Sequence, residues 1–134
     1  MIYMLDTNIC IYIINNQPDS YCKMLEKLER SNVLAISSIV LAELQYGVAN
    51  SKLKELNQIR LNTFVARLEV MDFSAKCALY YGNLRSELKL KGVLIGGNDL
   101  LIASHALAED AILVTNNTSE FKRVPGLTIE SWDI

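Results

Sequence analysis

Two rhythms of apolar and polar positions run along this chain. Short, mostly apolar runs suit strands buried on both faces: Ile2-Tyr3-Met4-Leu5, Val33-Leu34-Ala35-Ile36, Leu68-Glu69-Val70-Met71 and Ala111-Ile112-Leu113-Val114. Between them, apolar residues return at helical spacing, which predicts helices over 7–15, 20–30, 39–49, 52–66, 74–91 and 99–108. The predicted inner faces carry Tyr21, Met24, Leu25 and Leu28 in the second helix, and Val40, Leu44 and Val48 in the third. In the fourth they are Leu53, Leu56, Ile59 and Phe64, and in the fifth Cys77, Tyr80, Tyr81, Leu84 and Leu88. The sixth helix is apolar almost all round, which predicts a central position. Pro18 suits the first turn of the second helix, and Gly92 ends the fifth. The turn Pro125-Gly126 precedes Leu127-Thr128-Ile129, a predicted edge strand.

Strands alternating with helices predict an α/β fold, with a parallel sheet and helices on both faces. Right-handed crossovers then bring every strand's carboxyl end to one side, where open sheets bind ligands. The 134 residues fit a single domain, 1–134, and 51% apolar content argues against disorder. A net charge of −2 rules out a globally basic nucleic-acid binder, so any such contact needs a local basic patch. Cys10, Cys22 and Cys77 form no C-x-x-C pair, and His105 is the one histidine. That predicts buried, reduced thiols and no structural zinc site. Asp6 interrupts the N-terminal apolar run too early for a signal peptide, and no stretch reaches membrane-spanning length; the expected compartment is the cytoplasm.

Against this frame, acids fall at telling places. Asp6 follows the first strand, Asn117 and Glu120 follow the fourth, Asp99 opens the sixth helix, and Glu43 interrupts the otherwise apolar third. Each has an ordinary reading: a helix cap for Asp6, a first-turn acid for Asp99, a solvated helix residue for Glu43, turn residues for Asn117 and Glu120. Together they make a carboxylate cluster, suited to a hard cation such as Mg²⁺ or Mn²⁺, or to sharing a proton. His105 reads as a helix residue. Gly96-Gly97 is only a fragment of a phosphate loop, because neither a dinucleotide fingerprint nor a Walker sequence accompanies it.

Met4-Leu5-Asp6-Thr7-Asn8, the segment from Ser37-Ser38 to Glu43-Leu44, Asp99-Leu100-Leu101-Ile102-Ala103 and Leu113-Val114-Thr115-Asn116-Asn117 stand in the order and spacing of PIN-domain ribonucleases. The chain most resembles the VapC toxins of bacterial toxin–antitoxin pairs, over essentially its whole length. The resemblance implies a three-layer sandwich with a mainly parallel five-stranded sheet. It implies a Mg²⁺- or Mn²⁺-dependent endoribonuclease in which Asp6 and Asp99 hold the metal and Glu43 completes the acid set. The family's fourth acid falls on Asn117, which is neutral, and Glu120 is the candidate to supply the missing charge. Thr7 and Thr115 match supporting polar positions. Arg85, Lys89, Lys91, Lys122 and Arg123 are the candidates for contacts to RNA phosphates. The implied partners are structured RNA, with the anticodon region of initiator transfer RNA favoured, and a VapB-type antitoxin. A homodimer is also implied, with the helices bearing Leu28, Leu53 and Leu56 as its candidate surface.

Three rivals share parts of this pattern. A haloacid-dehalogenase-type phosphatase wants a second Asp two residues after the first, where Asn8 stands. A receiver module wants paired acids at the first strand end and a lysine after a late strand. A PIN fold that binds without catalysis is left open by Asn117.

Overall fold

The computed structural model of the chain describes residues 1–133. Five strands form one sheet: β1 (Ile2–Leu5), β2 (Val33–Ser37), β3 (Glu69–Met71), β4 (Ile112–Val114) and β5 (Ile129–Glu130), in the order β3-β2-β1-β4-β5. Every pairing is parallel, so the expected mainly parallel sheet is parallel throughout. The strands are short and apolar, and Met4, Leu5, Ile36, Leu113 and Val114 are fully buried. Each such side chain contributes roughly 1.5–3 kcal/mol, which fixes the strand ends on which the polar residues stand.

The chain winds from β1 outward through β2 to β3, then returns past β1 to β4 and β5. Right-handed crossovers in opposite directions place their helices on opposite faces. α1 (Thr7–Ile14), α2 (Asp19–Leu28), α3 (Ser38–Ala49) and α4 (Lys54–Val65) serve the outward leg, and α1 packs on the other three. α5 (Ala75–Leu90) and α6 (Gly97–Ala108) serve the return, packed together. The reversal puts a switch point between β1 and β4, where such sheets open a crevice. Leu5 pairs with Val114 there, and the Asp6 amide donates to the Val114 carbonyl at 2.9 Å.

α6 earns its central place by composition. Leu100, Ile102, Ala103, Ser104, His105, Ala106 and Ala108 are all buried, and the alanines allow close approach to the sheet. The Ser104 hydroxyl is satisfied by donating to the Leu100 carbonyl at 2.6 Å. The helix begins at Gly97, two residues before the predicted start, so Asp99 lies third in its first turn.

Several expectations need correction. Pro18 flanks α2 rather than entering its first turn. In α4 the buried residues are Leu61 and Phe64, whereas Leu53, Leu56 and Ile59 are 62%, 50% and 63% exposed. Leu28 is half-buried against the core, so the uncovered apolar surface lies on α4 and not α2. Tyr80 faces solvent while Cys77, Leu84 and Leu88 face inward. A short helix, α7 (Thr118–Phe121), stands where no helix is predicted and Asn117 and Glu120 read as turn residues; one buried residue, Phe121, is too little to show a period. The cysteines are free, but Cys22 is only half-buried.

Candidate active site

The switch-point crevice collects the polar residues. Asp6 ends β1 and flanks α1, 6% exposed. Its Oδ1 accepts from the Thr7 amide at 2.8 Å and its Oδ2 from the Thr115 hydroxyl at 2.8 Å. Asp6 is thus a helix cap and a crevice acid at once, because one oxygen serves each neighbour and lone pairs remain. Thr115, fully buried after β4, also accepts from the Asn117 amide at 3.0 Å, which shapes the turn into α7. Thr7 reaches across to Glu43, its hydroxyl donating to Oε1 at 3.1 Å. That bond joins the first turn of α1 to the middle of α3, over 36 residues of sequence.

Asn117, which carries no charge, acts as a bridge. Its Nδ2 donates to Glu120 Oε2 at 2.6 Å and lies 3.4 Å from Asp99 Oδ2. Glu120, three residues beyond Asn117, is thereby held beside Asp99. The structure therefore brings Asp6, Thr7, Glu43, Asp99, Thr115, Asn117 and Glu120 to one edge.

Electrostatics record the crowding. Burial pushes the Asp99 carboxyl up to about 7, reinforced by its hydrogen bond with Glu120 and by the charges of Asp6, Glu120 and Glu43. Burial also raises Asp6, opposed by the Thr115 and Thr7 hydrogen bonds. The bond from Asn117 and the bond with Asp99 hold Glu120 below its ordinary value, helped by the Gly96 amide and Arg123. Like charges this close are relieved by a proton or a cation.

The basic candidates are more dispersed. Arg123 comes near Glu120, and its Nη1 donates to the Leu94 carbonyl at 3.2 Å. Lys122 is exposed beside it. On α5, Lys89 is exposed, Arg85 donates to the Tyr81 hydroxyl at 2.8 Å, and Lys91, just past the helix end, pairs with Glu87 at 3.1 Å. Two supports escaped sequence reasoning. The Gly96 amide favours the charge on Glu120, a role to which the Gly96-Gly97 pair before Asp99 was the only pointer. The Tyr21 hydroxyl accepts from Asn116 Nδ2 at 2.6 Å and bonds to Asp133, bracing the turn after β4. Nothing in the spacing of residues 21, 116 and 133 announces that contact.

Residues 3–127 match the PIN domain family. The chain belongs to that family. Among PIN proteins it is similar to Ribonuclease VapC2 of Rickettsia felis, 67% identical with 99% of each chain covered. It is also similar to the tRNA(fMet)-specific endonuclease VapC of Salmonella typhimurium, 42% identical with 97% of each covered. The crystal structure of VapBC2 from Rickettsia felis, bound to a DNA fragment from their promoter, contains a similar fold: TM-score 0.95, 66% identity, 99% of this chain and 100% of that one. DNA-bound VapBC from Salmonella typhimurium gives a TM-score of 0.93 at 40% identity, with 99% of each chain covered. This PIN domain is therefore of the VapC ribonuclease type. PIN nucleases generally depend on a divalent metal, and the crevice offers the all-oxygen donors that a hard cation prefers.

Proposed function

We propose that this chain, acting as a single domain, is the toxin of a VapBC-type pair and hydrolyses RNA phosphodiesters with Mg²⁺ or Mn²⁺ held by Asp6 and Asp99. One observation carries the reading: Asp99, pushed up to about 7, shares a crevice with Asp6, Glu43 and Glu120. Nothing in a structural role calls for crowding four carboxyl groups at a sheet's carboxyl edge. A bound divalent ion would supply charge stabilisation at the phosphoryl oxygens and would acidify water at neutral pH. Thr115 and the Thr7 amide fix the Asp6 carboxylate so that its remaining lone pairs face the crevice. Thr7 anchors Glu43, and Asn117 anchors Glu120. These two acids orient the attacking water and accept its proton. No side-chain nucleophile is required, and the 2′-hydroxyl takes no part, so the products carry 5′-phosphate and 3′-hydroxyl ends. Lys122 and Arg123, beside the crevice, with Arg85, Lys89 and Lys91 on and just beyond α5, lead the RNA backbone toward acids that would otherwise repel it.

The anticodon region of initiator transfer RNA is the proposed target, on the strength of the Salmonella relative's specificity. The proposed protein partner is an antitoxin of the VapB type. A groove of about 310 Å³, lined in part by Ile11, Ile14, Leu44, Val48 and Leu61, runs up to Glu43 and suits an amphipathic segment ending in a basic residue. Leu53, just before α4, with Leu56 and Ile59 on it, is the proposed contact of a homodimer. Sequencing of RNA ends after brief expression in a bacterial host tests the activity. Cuts in initiator transfer RNA with 5′-phosphate ends, absent with Asp6→Asn, are expected. Cyclic phosphate ends, or cuts that persist in Asp6→Asn, would overturn it.

A further inference from the structure

Away from the crevice, a second group of side chains meets between α5 and α6. Cys77 Sγ, a His105 ring nitrogen and a Glu109 carboxylate oxygen all lie within 4.8 Å of one another. Cys77 and His105 are fully buried. His105 Nδ1 is paired with the Ser37 hydroxyl at 2.7 Å, but Nε2 has no hydrogen-bond partner among the described residues. Glu109 Oε1 stands 4.0 Å from it, beyond hydrogen-bond reach. A buried imidazole nitrogen left bare, in a ring that meets a thiol and a carboxylate, needs an explanation. Burial also lowers the His105 pKa, against the opposing charges of Glu109 and Asp72, so the ring is held neutral.

We propose that Cys77, His105 and Glu109 form a binding site for one borderline divalent transition ion, of which Zn²⁺ is the type. Thiolate, imidazole and carboxylate are the donor classes this ion takes, and the thiolate disfavours Mg²⁺ and Ca²⁺. The Ser37 hydroxyl occupies Nδ1, so Nε2 is the ring nitrogen left for a metal; the bound form is the tautomer with its proton on Nδ1, donating to Ser37 as metal-bound histidines do through their other nitrogen. Ser74 Oγ, 3.4 Å from Cys77 Sγ, supports the sulfur in the same way. Tetrahedral zinc holds its donors about 3.3–3.7 Å apart. Glu109, half-buried and four residues beyond His105 at the end of α6, can close the remaining gap by side-chain rotation. On binding, the Cys77 thiol loses its proton to solvent, and water fills the fourth position. The ion pins α5 to α6, one and a half turns or so from Asp99. The donors come from two helices rather than from a local C-x-x-C, so spacing along the sequence does not mark them.

Co²⁺ alone, added to the full chain after metal removal by a chelator, is the probe. A thiolate-to-cobalt charge-transfer band that saturates at one equivalent, and that Zn²⁺ displaces, is expected in the wild type. The same band is expected in an Asp6→Asn, Asp99→Asn double variant, which separates this site from the crevice. Cys77→Ser should abolish it, and Glu109→Gln should weaken binding by about tenfold or more. No band in the wild type, a band that survives Cys77→Ser, or unchanged affinity in Glu109→Gln would overturn the proposal. Should Cys77→Ser fail to fold, the His105 Nε2 resonance in wild-type protein decides. Saturating Zn²⁺ must shift it, and an unmoved resonance refutes the site.

Discussion

One helix, α6, carries two polar residues that live under opposite conditions. Asp99 stands in its first turn, half-exposed, among acids that raise its pKa to about 7. His105 stands fully buried in the last turn, edge-on to Phe73 with ring centroids 5.7 Å apart, and bonded to Ser37. The first is a charge with too many like neighbours, and the second a polar ring with too few partners. Substitution at the first should cost function and spare the fold, whereas substitution at the second should do the reverse.

The largest expected effect is therefore at Asp99. Asp99→Asn should lower RNA cleavage by about a thousandfold or more, with a thermal midpoint at neutral pH no lower than wild type. A cleavage rate within tenfold of wild type would break the comparison. His105→Ala should lower stability by about 2–4 kcal/mol, as removal of a fully buried ring does, read by urea unfolding. Its cleavage rate per folded molecule should stay close to wild type.

The metal-free protein should also respond to pH in a direction set by Asp99. A carboxyl raised from 3.8 to about 7 binds more protons folded than unfolded between those values. The stability contributed by Asp99 is then fully present below about 4 and is lost as pH rises toward about 7, while the lowered Glu120 acts in the opposite direction only at pH below its ordinary value. Asp6 is raised and acts in the same direction. Thermal midpoints across that window should fall with pH in wild type and flatten in Asp99→Asn. Added Mn²⁺ should reverse the loss, since cation binding competes with the proton.

A smaller effect belongs to Thr115→Val. It keeps the shape but removes the hydrogen bond to Asp6 Oδ2, a bond to a charged group that contributes about 1.5–3 kcal/mol, and also the acceptor of the Asn117 amide. Weaker Mn²⁺ affinity in a calorimetric titration is the readout. Smallest is Arg123→Ala, expected to raise KM a few-fold and to shallow the salt dependence of RNA binding with little change in kcat.

The strand-end position of Asp6 and the burial of α6 could be read from apolar runs, because burial on both faces leaves a plain signature. The order of the strands has no signature in the pattern, but the alternation of strands and helices is enough for the sheet's parallel sense. What spacing could not give was reach. The Thr7–Glu43 bond crosses from α1 to α3, and Glu120 meets Asp99 only because Asn117 and the brief α7 turn it inward. The α4 stripe misled for a related reason: Leu53, Leu56 and Ile59 have helical spacing, but the helix turns Leu61 and Phe64 to the core. The meeting of Cys77, His105 and Glu109 is likewise a product of packing, not of local pattern.

The most direct test is the initial rate of transfer RNA cleavage by the purified chain, free of antitoxin, as Mg²⁺ is titrated into chelator-treated protein. No cleavage without the cation, saturable recovery with it, and blank rates for both Asp6→Asn and Asp99→Asn are the predicted results. Undiminished cleavage in chelator, or wild-type rates in either variant, would contradict the account.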